Sequence, residues 1–427
     1  MRKLLLTFMG LALCAAPHAQ TISEETRQDI QLTAGSYAVY PGPGHEGLTP
    51  PPKGWVPFYI SHFGRHGSRY LGKPSQYNAP FLTLAKADSV GRLTPLGRDV
   101  MWRLDRIRHD AENRWGELTP LGTEQQRQIA RRMFCRFPEA FADHVDVDAR
   151  STTVPRCILS MEYALMELLS LNPRLNVHHN ATHRDMAYLN YQDRHLMELQ
   201  FNQQASELYN RYEQSQIDGT RLAETLFNDT AYIRQHVNTT EFSLQLMLVA
   251  AVMQNTELGR EVSLYDVFTV AEAFRLWKAG NARWYVGWGA CSVNGAVQPY
   301  SQRFLLRRLI EDADRCVDSE KCHVQLRFGH DSSLLPLVCL LDINGLGLTT
   351  SNLELLEQSG WADYRIIPMA GNVQLVFYRR EPHDRDVLLK VLLNEREATL
   401  PLHTDTPPYY KYSDFREYCV KKLEAYE

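Results

Sequence analysis

The pentapeptide Arg65-His66-Gly67-Ser68-Arg69 sets an imidazole between two guanidinium groups, shortly after an apolar run at residues 56–60. Guanidinium groups bind phosphate oxygens in pairs, a glycine lets a backbone come close, and an imidazole nitrogen can attack phosphorus. Arg-His-Gly alone would also suit a basic surface turn, so the remaining chain has to supply the rest of a reaction. Cleaving a phosphate monoester needs in-line attack on a dianion, neutralisation of its equatorial oxygens and a proton for the departing alkoxide. Arg65, Arg69 and Arg156 offer the charge, His66 the nucleophilic nitrogen, His330 a further donor and Asp331 the proton. Asp331 has to be protonated when it acts, which favours an acidic optimum unless its surroundings raise its pKa. Taken singly, Arg156 also fits a surface ion pair, and His330-Asp331 a helix cap.

A sheet whose strands end on one side would bring these residues together. Residues 56–60 read as a strand that delivers the Arg-His-Gly loop at its carboxyl end, as parallel strands deliver ligand-binding residues. Helical spacing follows over 80–90, 94–113 and 119–134, and two LTPLG copies, at 93–97 and 118–122, each offer a threonine N-cap followed by proline. These copies are two helix starts of the same chemistry rather than a repeat array. A short strand at 145–147 leads through Arg150 to Arg156 into a helix at 157–171, and the chain then turns polar, aromatic and helix-rich up to about residue 288. Strand character returns at 323–328, which ends at Gly329-His330-Asp331, and is followed by a helix at 332–341 and strands at 372–378 and 387–393. The expected fold is α/β, with a mainly parallel central sheet flanked by helices. Residues 20–171 and 300–427 form its core, and 172–299 an inserted, mostly α-helical cap. The basic groups at 103–109 and 303–308 recur at helical spacing and read as solvated faces.

The chain is long enough for a sizeable core, with 427 residues of which 44% are hydrophobic. Its net charge of −4 argues against a nucleic-acid binder, so an anionic substrate has to be met by a local cluster of cations. Residues 1–19 describe an export leader: Arg2 and Lys3, an apolar run, then small residues near Ala19. That run is shorter than the ~20 residues of a membrane-spanning helix, so an exported protein with no membrane span is expected. Beyond Cys14 the cysteines are odd in number, with Cys316 and Cys322 the best-placed local pair and Cys339 a buried thiol. No Cys or His cluster has zinc spacing, and neither a metal nor a cofactor is expected.

The loop at 65–69, the segment Arg150-Ser151-Thr152-x-Val154-x-Arg156 and the late His330-Asp331 occur in an order similar to that of the histidine acid phosphatases, the family of phytases and prostatic-type acid phosphatases. LTPLG at 118–122 resembles that family's helix start between the first two motifs. Within the family, segments 324–341, 366–378 and 392–402, with Pro155-Arg156-Cys157, resemble the multiple inositol polyphosphate phosphatases. The resemblance implies a phosphohistidine enzyme acting on inositol polyphosphates such as phytate. Lys73 stands where phytases carry a substrate-binding lysine. Three departures stand out: the inositol polyphosphate branch usually has His-Ala-Glu where this chain has His330-Asp331, Leu71 replaces a common proline, and Thr153-Val154-Pro155 lacks acidic residues. A broad acid phosphatase or sugar-phosphate phosphatase is the alternative reading. A phosphate-binding protein without catalysis is a third, against which the presence of both His66 and Asp331 argues.

Overall fold

The apolar run at 56–60 continues through buried polar residues into the central strand β1 (Val56–Arg65) of a computed structural model that describes residues 21–44, 47–319, 321 and 323–426. The expected leader at 1–19 lies outside the described residues. The other strands are β2 (Asp146–Ser151), β3 (Asn176–Asn180), β4 (His323–Gly329), β5 (Asn372–Arg379), β6 (Leu388–Leu393), β7 (Arg396–Ala398) and β8 (Tyr409–Lys411). Their order is β3-β2-β4-β1-β5-β6-β7, with β8 also paired to β6. β3, β2, β4 and β1 run parallel, as the mainly parallel, helix-flanked sheet expected from the sequence requires, while β5 to β8 add antiparallel pairings that make the sheet mixed.

Alternation along β1 sends Tyr59 and Phe63 into one core and Ile60 into another. Helices Arg303–Val317, Asp331–Leu340 and Tyr412–Glu424 cover the first face. Helices Pro120–Arg136 and Pro155–Leu171 cover the second. Register aligns Arg65 with Gly329, and Ser151 with Phe328, so three parallel strands end level with one another.

The helix-rich stretch does not close on itself. Helices Thr239–Met253 and Val270–Trp288 share a core with Pro74–Asp88 and Pro95–Asp110, which precede the expected cap in sequence. Conversely, β3 falls within residues 172–299 yet pairs with β2 in the sheet. Its sequence, NVHHN, is polar because it is an exposed edge strand, so it lacks the apolar signature of a buried one.

The two LTPLG segments behave alike. Thr94 Oγ1 accepts from Gly97 N at 3.0 Å, and Thr119 Oγ1 from Gly122 N at 3.2 Å. In each, the glycine lies against foreign backbone: a Cβ would sit 2.1 Å from the Leu226 carbonyl oxygen at Gly97 and 2.2 Å from that of Ser68 at Gly122. The basic groups at 103–109 and 303–308 lie on helix faces and are ion-paired, Arg103 with Asp99 and Asp266, and Arg303 with Asp193 at 2.7 Å. Among the described residues Cys135, Cys157, Cys291, Cys316, Cys339 and Cys419 are thiols, and Cys339 is buried as expected. Cys322, the expected partner of Cys316, lies outside the described residues.

Candidate active site

Arg65 is the last residue of β1, and its guanidinium is fully buried. Burying a charge requires partners, and Arg65 has them: Nη1 donates to the carbonyls of Ser36 at 2.5 Å and Ile367 at 2.6 Å. Nη2 lies 2.6 Å from Asp331 Oδ2. Asp331 opens the helix Asp331–Leu340, directly after β4 and the N-cap residue His330. Neither residue makes a side-chain cap bond of the expected kind at that N-cap. Instead the carboxylate is shared between Arg65 and the Ser332 backbone N–H, which donates to Oδ1 at 2.8 Å.

The loop after β1 is held at nearly every polar backbone atom. His66 N donates to the Gly329 carbonyl at 3.1 Å, and the His66 carbonyl accepts from Ala370 N at 3.0 Å. Gly67 N donates to Ser160 Oγ at 3.1 Å, Ser68 N to Gln125 Oε1 at 2.9 Å, and Gln126 Nε2 to the Arg65 carbonyl at 3.0 Å. Gly67 is required because a Cβ there would lie 2.3 Å from the Gly122 carbonyl oxygen. The close approach that glycine permits is thus to the start of the helix Pro120–Arg136, and not to a ligand.

His66 Nδ1 lies 2.9 Å from the Gly67 carbonyl oxygen, which can only accept. Nδ1 therefore carries the proton, and the lone pair is on Nε2. Burial, together with Arg65, Arg156 and Arg69, holds the imidazole well below its ordinary pKa, so it is neutral. His330 stands edge-on to it, with ring centroids 5.9 Å apart. The Thr152 hydroxyl and His330 Nε2 are hydrogen-bonded at 3.2 Å, and burial, with Arg156, Arg65 and Arg69, lowers the His330 pKa to about 4.

Arg69 donates to the Tyr70 carbonyl at 2.8 Å and reaches the Tyr37 hydroxyl at 3.4 Å, with its guanidinium 5.4 Å from the Tyr37 ring centroid. Arg156 lies in the first turn of the helix Pro155–Leu171, and burial followed by Arg69 lowers its pKa. Among the described residues, Arg65 Nε, Arg69 Nε and Arg156 Nε are buried donors with no hydrogen-bond partner, and Arg65 Nη2 has the Asp331 carboxylate as its ion-pair partner. Unmet donors on like-charged groups make this cluster fit for an anion with several acceptor oxygens.

The sequence expectation that Asp331 needs help to be protonated meets an opposing field. Burial raises its pKa, but Arg65, Arg69 and His330 outweigh burial and hold it below the ordinary carboxylate value. Lys73 is exposed where the loop enters the helix Pro74–Asp88. It follows Gly72, whose Cα would lie 3.9 Å from a Cβ at Gly116, a position also 3.7 Å from Arg156 Nη1. The structure thus gathers Arg65, His66, Arg69, Arg156, His330 and Asp331, and leaves Lys73 beside them at the surface. Sequence reasoning missed Ser36, Tyr37 and Ile367, since single residues in irregular segments carry no periodic signal. Ser160, Gln125 and Gln126 lay one helical turn from motifs already recognised.

The sequence profile of the histidine phosphatase superfamily, branch 2, matches residues 65–394. A comparison with curated protein sequences returns no match. Solved structures show the same fold. Multiple inositol polyphosphate phosphatase from Bifidobacterium longum in complex with phosphate aligns with TM-score 0.72 at 16% identity, covering 92% of this chain and 98% of that one. Its complex with inositol hexasulfate gives 0.67 at 16% identity, covering 89% and 96%. The phytase from D. castellii gives 0.69 at 14% identity, covering 96% and 88%.

Proposed function

The chain belongs to the histidine phosphatase superfamily, branch 2, and from that premise we propose how this phosphomonoesterase works and what it hydrolyses. The observation that carries the mechanism is the Nδ1 bond of His66 to the Gly67 carbonyl, which leaves Nε2 as the only ring nitrogen able to attack. Nε2 forms a bond to phosphorus as the ester P–O bond breaks, and the departing alkoxide takes its proton from Asp331. Water then attacks the phosphohistidine, giving its proton to Asp331 and releasing inorganic phosphate, which restores His66. Arg65, Arg69 and Arg156 hold the equatorial oxygens, with His330 as a further donor. A phosphoryl dianion draws on the same Arg65 that lowers the Asp331 pKa. Its arrival weakens that hold and adds a negative charge nearby, which favours protonation of Asp331 when the acid is needed.

The substrates we propose are inositol polyphosphates, met outside the cytoplasm by an exported enzyme. The motif similarities of segments 324–341, 366–378 and 392–402 support this, as do the solved relatives named for inositol polyphosphates and the inositol hexasulfate bound to one of them. The leader pattern at 1–19 supports export. Incubating pure protein with inositol hexakisphosphate, glucose 1-phosphate and an aryl phosphate tests the substrate. Negligible turnover of the inositol ester beside brisk aryl phosphate turnover would overturn it in favour of a broad acid phosphatase. His66→Ala is expected to abolish turnover in a folded protein, and retained activity would refute the nucleophile.

A further inference from the structure

Beneath the phosphate cluster lies a carboxylate that the reaction does not use. Asp363 is 2% exposed, and both of its oxygens accept backbone or indole N–H groups. Oδ2 accepts from Ser36 N at 2.9 Å, and Oδ1 from Trp277 Nε1 and Tyr364 N, each at 2.9 Å. Its own backbone N–H donates to Asn281 Oδ1 at 2.8 Å. Trp277 and Asn281 belong to the helix Val270–Trp288, whereas Ser36 belongs to the amino-terminal turn Ile30–Tyr37. The same Ser36 presents its carbonyl to Arg65 Nη1 at 2.5 Å, and the next residue, Tyr37, carries the hydroxyl and ring that meet Arg69. Gly35 makes the arrangement possible: its φ is +58°, and a Cβ there would lie 2.5 Å from Asp363 Oδ2.

We propose that Asp363 is a positioning residue for phosphate binding: its carboxylate fixes the Gly35-Ser36-Tyr37 turn, and through it the orientation of Arg65 and Arg69. The proposal rests on the phosphate-clamp reading of Arg65. A neutral amide cannot replace this carboxylate. With three N–H donors converging on two oxygens, an asparagine has to turn its own NH2 toward at least one of them. Burial makes such a mismatch costly, so the turn rather than the donor gives way. A guanidinium displaced by a fraction of an ångström loses bidentate contact with a phosphoryl group.

Asp363→Asn is close to isosteric, and Gly35→Ala disturbs the same joint from its other side with the carboxylate intact. Each is purified beside Arg65→Ala, and kcat, KM for an aryl phosphate and competitive inhibition by inorganic phosphate are measured on protein shown to unfold cooperatively. Both joint variants are expected to lose on the order of 10²-fold in kcat/KM and to weaken phosphate inhibition about tenfold. Arg65→Ala is expected to lose both more severely. A role confined to stability would lower the unfolding temperature and leave kcat/KM and phosphate inhibition of the folded protein unchanged. That result in either joint variant, beside a crippled Arg65→Ala, overturns the proposal. Unimpaired phosphate inhibition in Arg65→Ala overturns instead the clamp reading on which it rests.

Discussion

Arg65 Nη2 lies 2.6 Å from Asp331 Oδ2, which ties the proposed phosphate clamp to the proposed general acid. The two residues sit at the ends of neighbouring parallel strands, with the Arg65–Gly329 pair closing the β1–β4 ladder just before His330-Asp331. This pairing makes the protonation of Asp331 depend on Arg65.

Asp331→Asn keeps the side-chain volume and removes the transferable proton. It is expected to lower kcat by about 10²- to 10³-fold on alkyl phosphates, and much less on an aryl phosphate whose leaving group departs unprotonated. Equal losses on both substrates, measured by phosphate release, would remove Asp331 from the acid role.

The low pKa of His330, about 4 against an ordinary 6.5, ties folding to pH. Because the folded state resists the imidazolium, this histidine's contribution to stability is complete above pH 6.5 and is lost as pH falls through about 4. His330→Gln lacks that titration. Its unfolding temperature should therefore fall less than that of the parent protein between pH 7 and pH 4. A constant gap between the two across that range would contradict the buried neutral histidine.

Twin glycines allow a controlled comparison of packing with function. Gly67→Ala and Gly97→Ala each drive a Cβ to within 2.3 Å and 2.1 Å of a backbone carbonyl oxygen, Gly122 and Leu226 respectively. Each is expected to cost about 1–3 kcal/mol in denaturant unfolding. Only Gly67→Ala, which moves the His66 loop, should also reduce kcat/KM of the folded fraction.

Arg327 and Asp312 form an ion pair of two side chains each 3% exposed, and Arg327 Nη1 also donates to Ser61 Oγ on β1 at 3.1 Å. Removing one partner leaves an unpaired charge beneath the sheet. Asp312→Ala should lose about 3–5 kcal/mol of stability in chemical denaturation. A loss below about 1 kcal/mol would show that Arg327 is adequately held by its remaining acceptors.

Much of the fold could be read locally. Strand signals at 56–60, 323–328, 372–378 and 387–393 all became strands, because each places several apolar side chains in a sheet covered on both faces. Threonine-proline pairs marked the starts of the helices Pro95–Asp110 and Pro120–Arg136. β1 nevertheless runs on to Arg65, since Ser61 and Arg65 are polar residues that a buried strand satisfies through distant partners, Arg327 for the first and the Ser36 and Ile367 carbonyls for the second.

By itself the sequence determined which groups this enzyme has for its chemistry and that strand ends would gather them: an imidazole between arginines, a late His-Asp pair, and the order of strands and helices around them. Short-range patterns carry that information, since side-chain chemistry and hydrophobic periodicity are properties of neighbouring residues. Only the tertiary structure decided which His66 nitrogen bears the proton, that Arg65 pairs with Asp331, and that Asp363, through Ser36 and Tyr37, is joined to Arg65 and Arg69. Asp363 and Ser36 are separated by 327 positions, and their bond exists because burial forces each polar group to find whichever partner the packed chain places beside it.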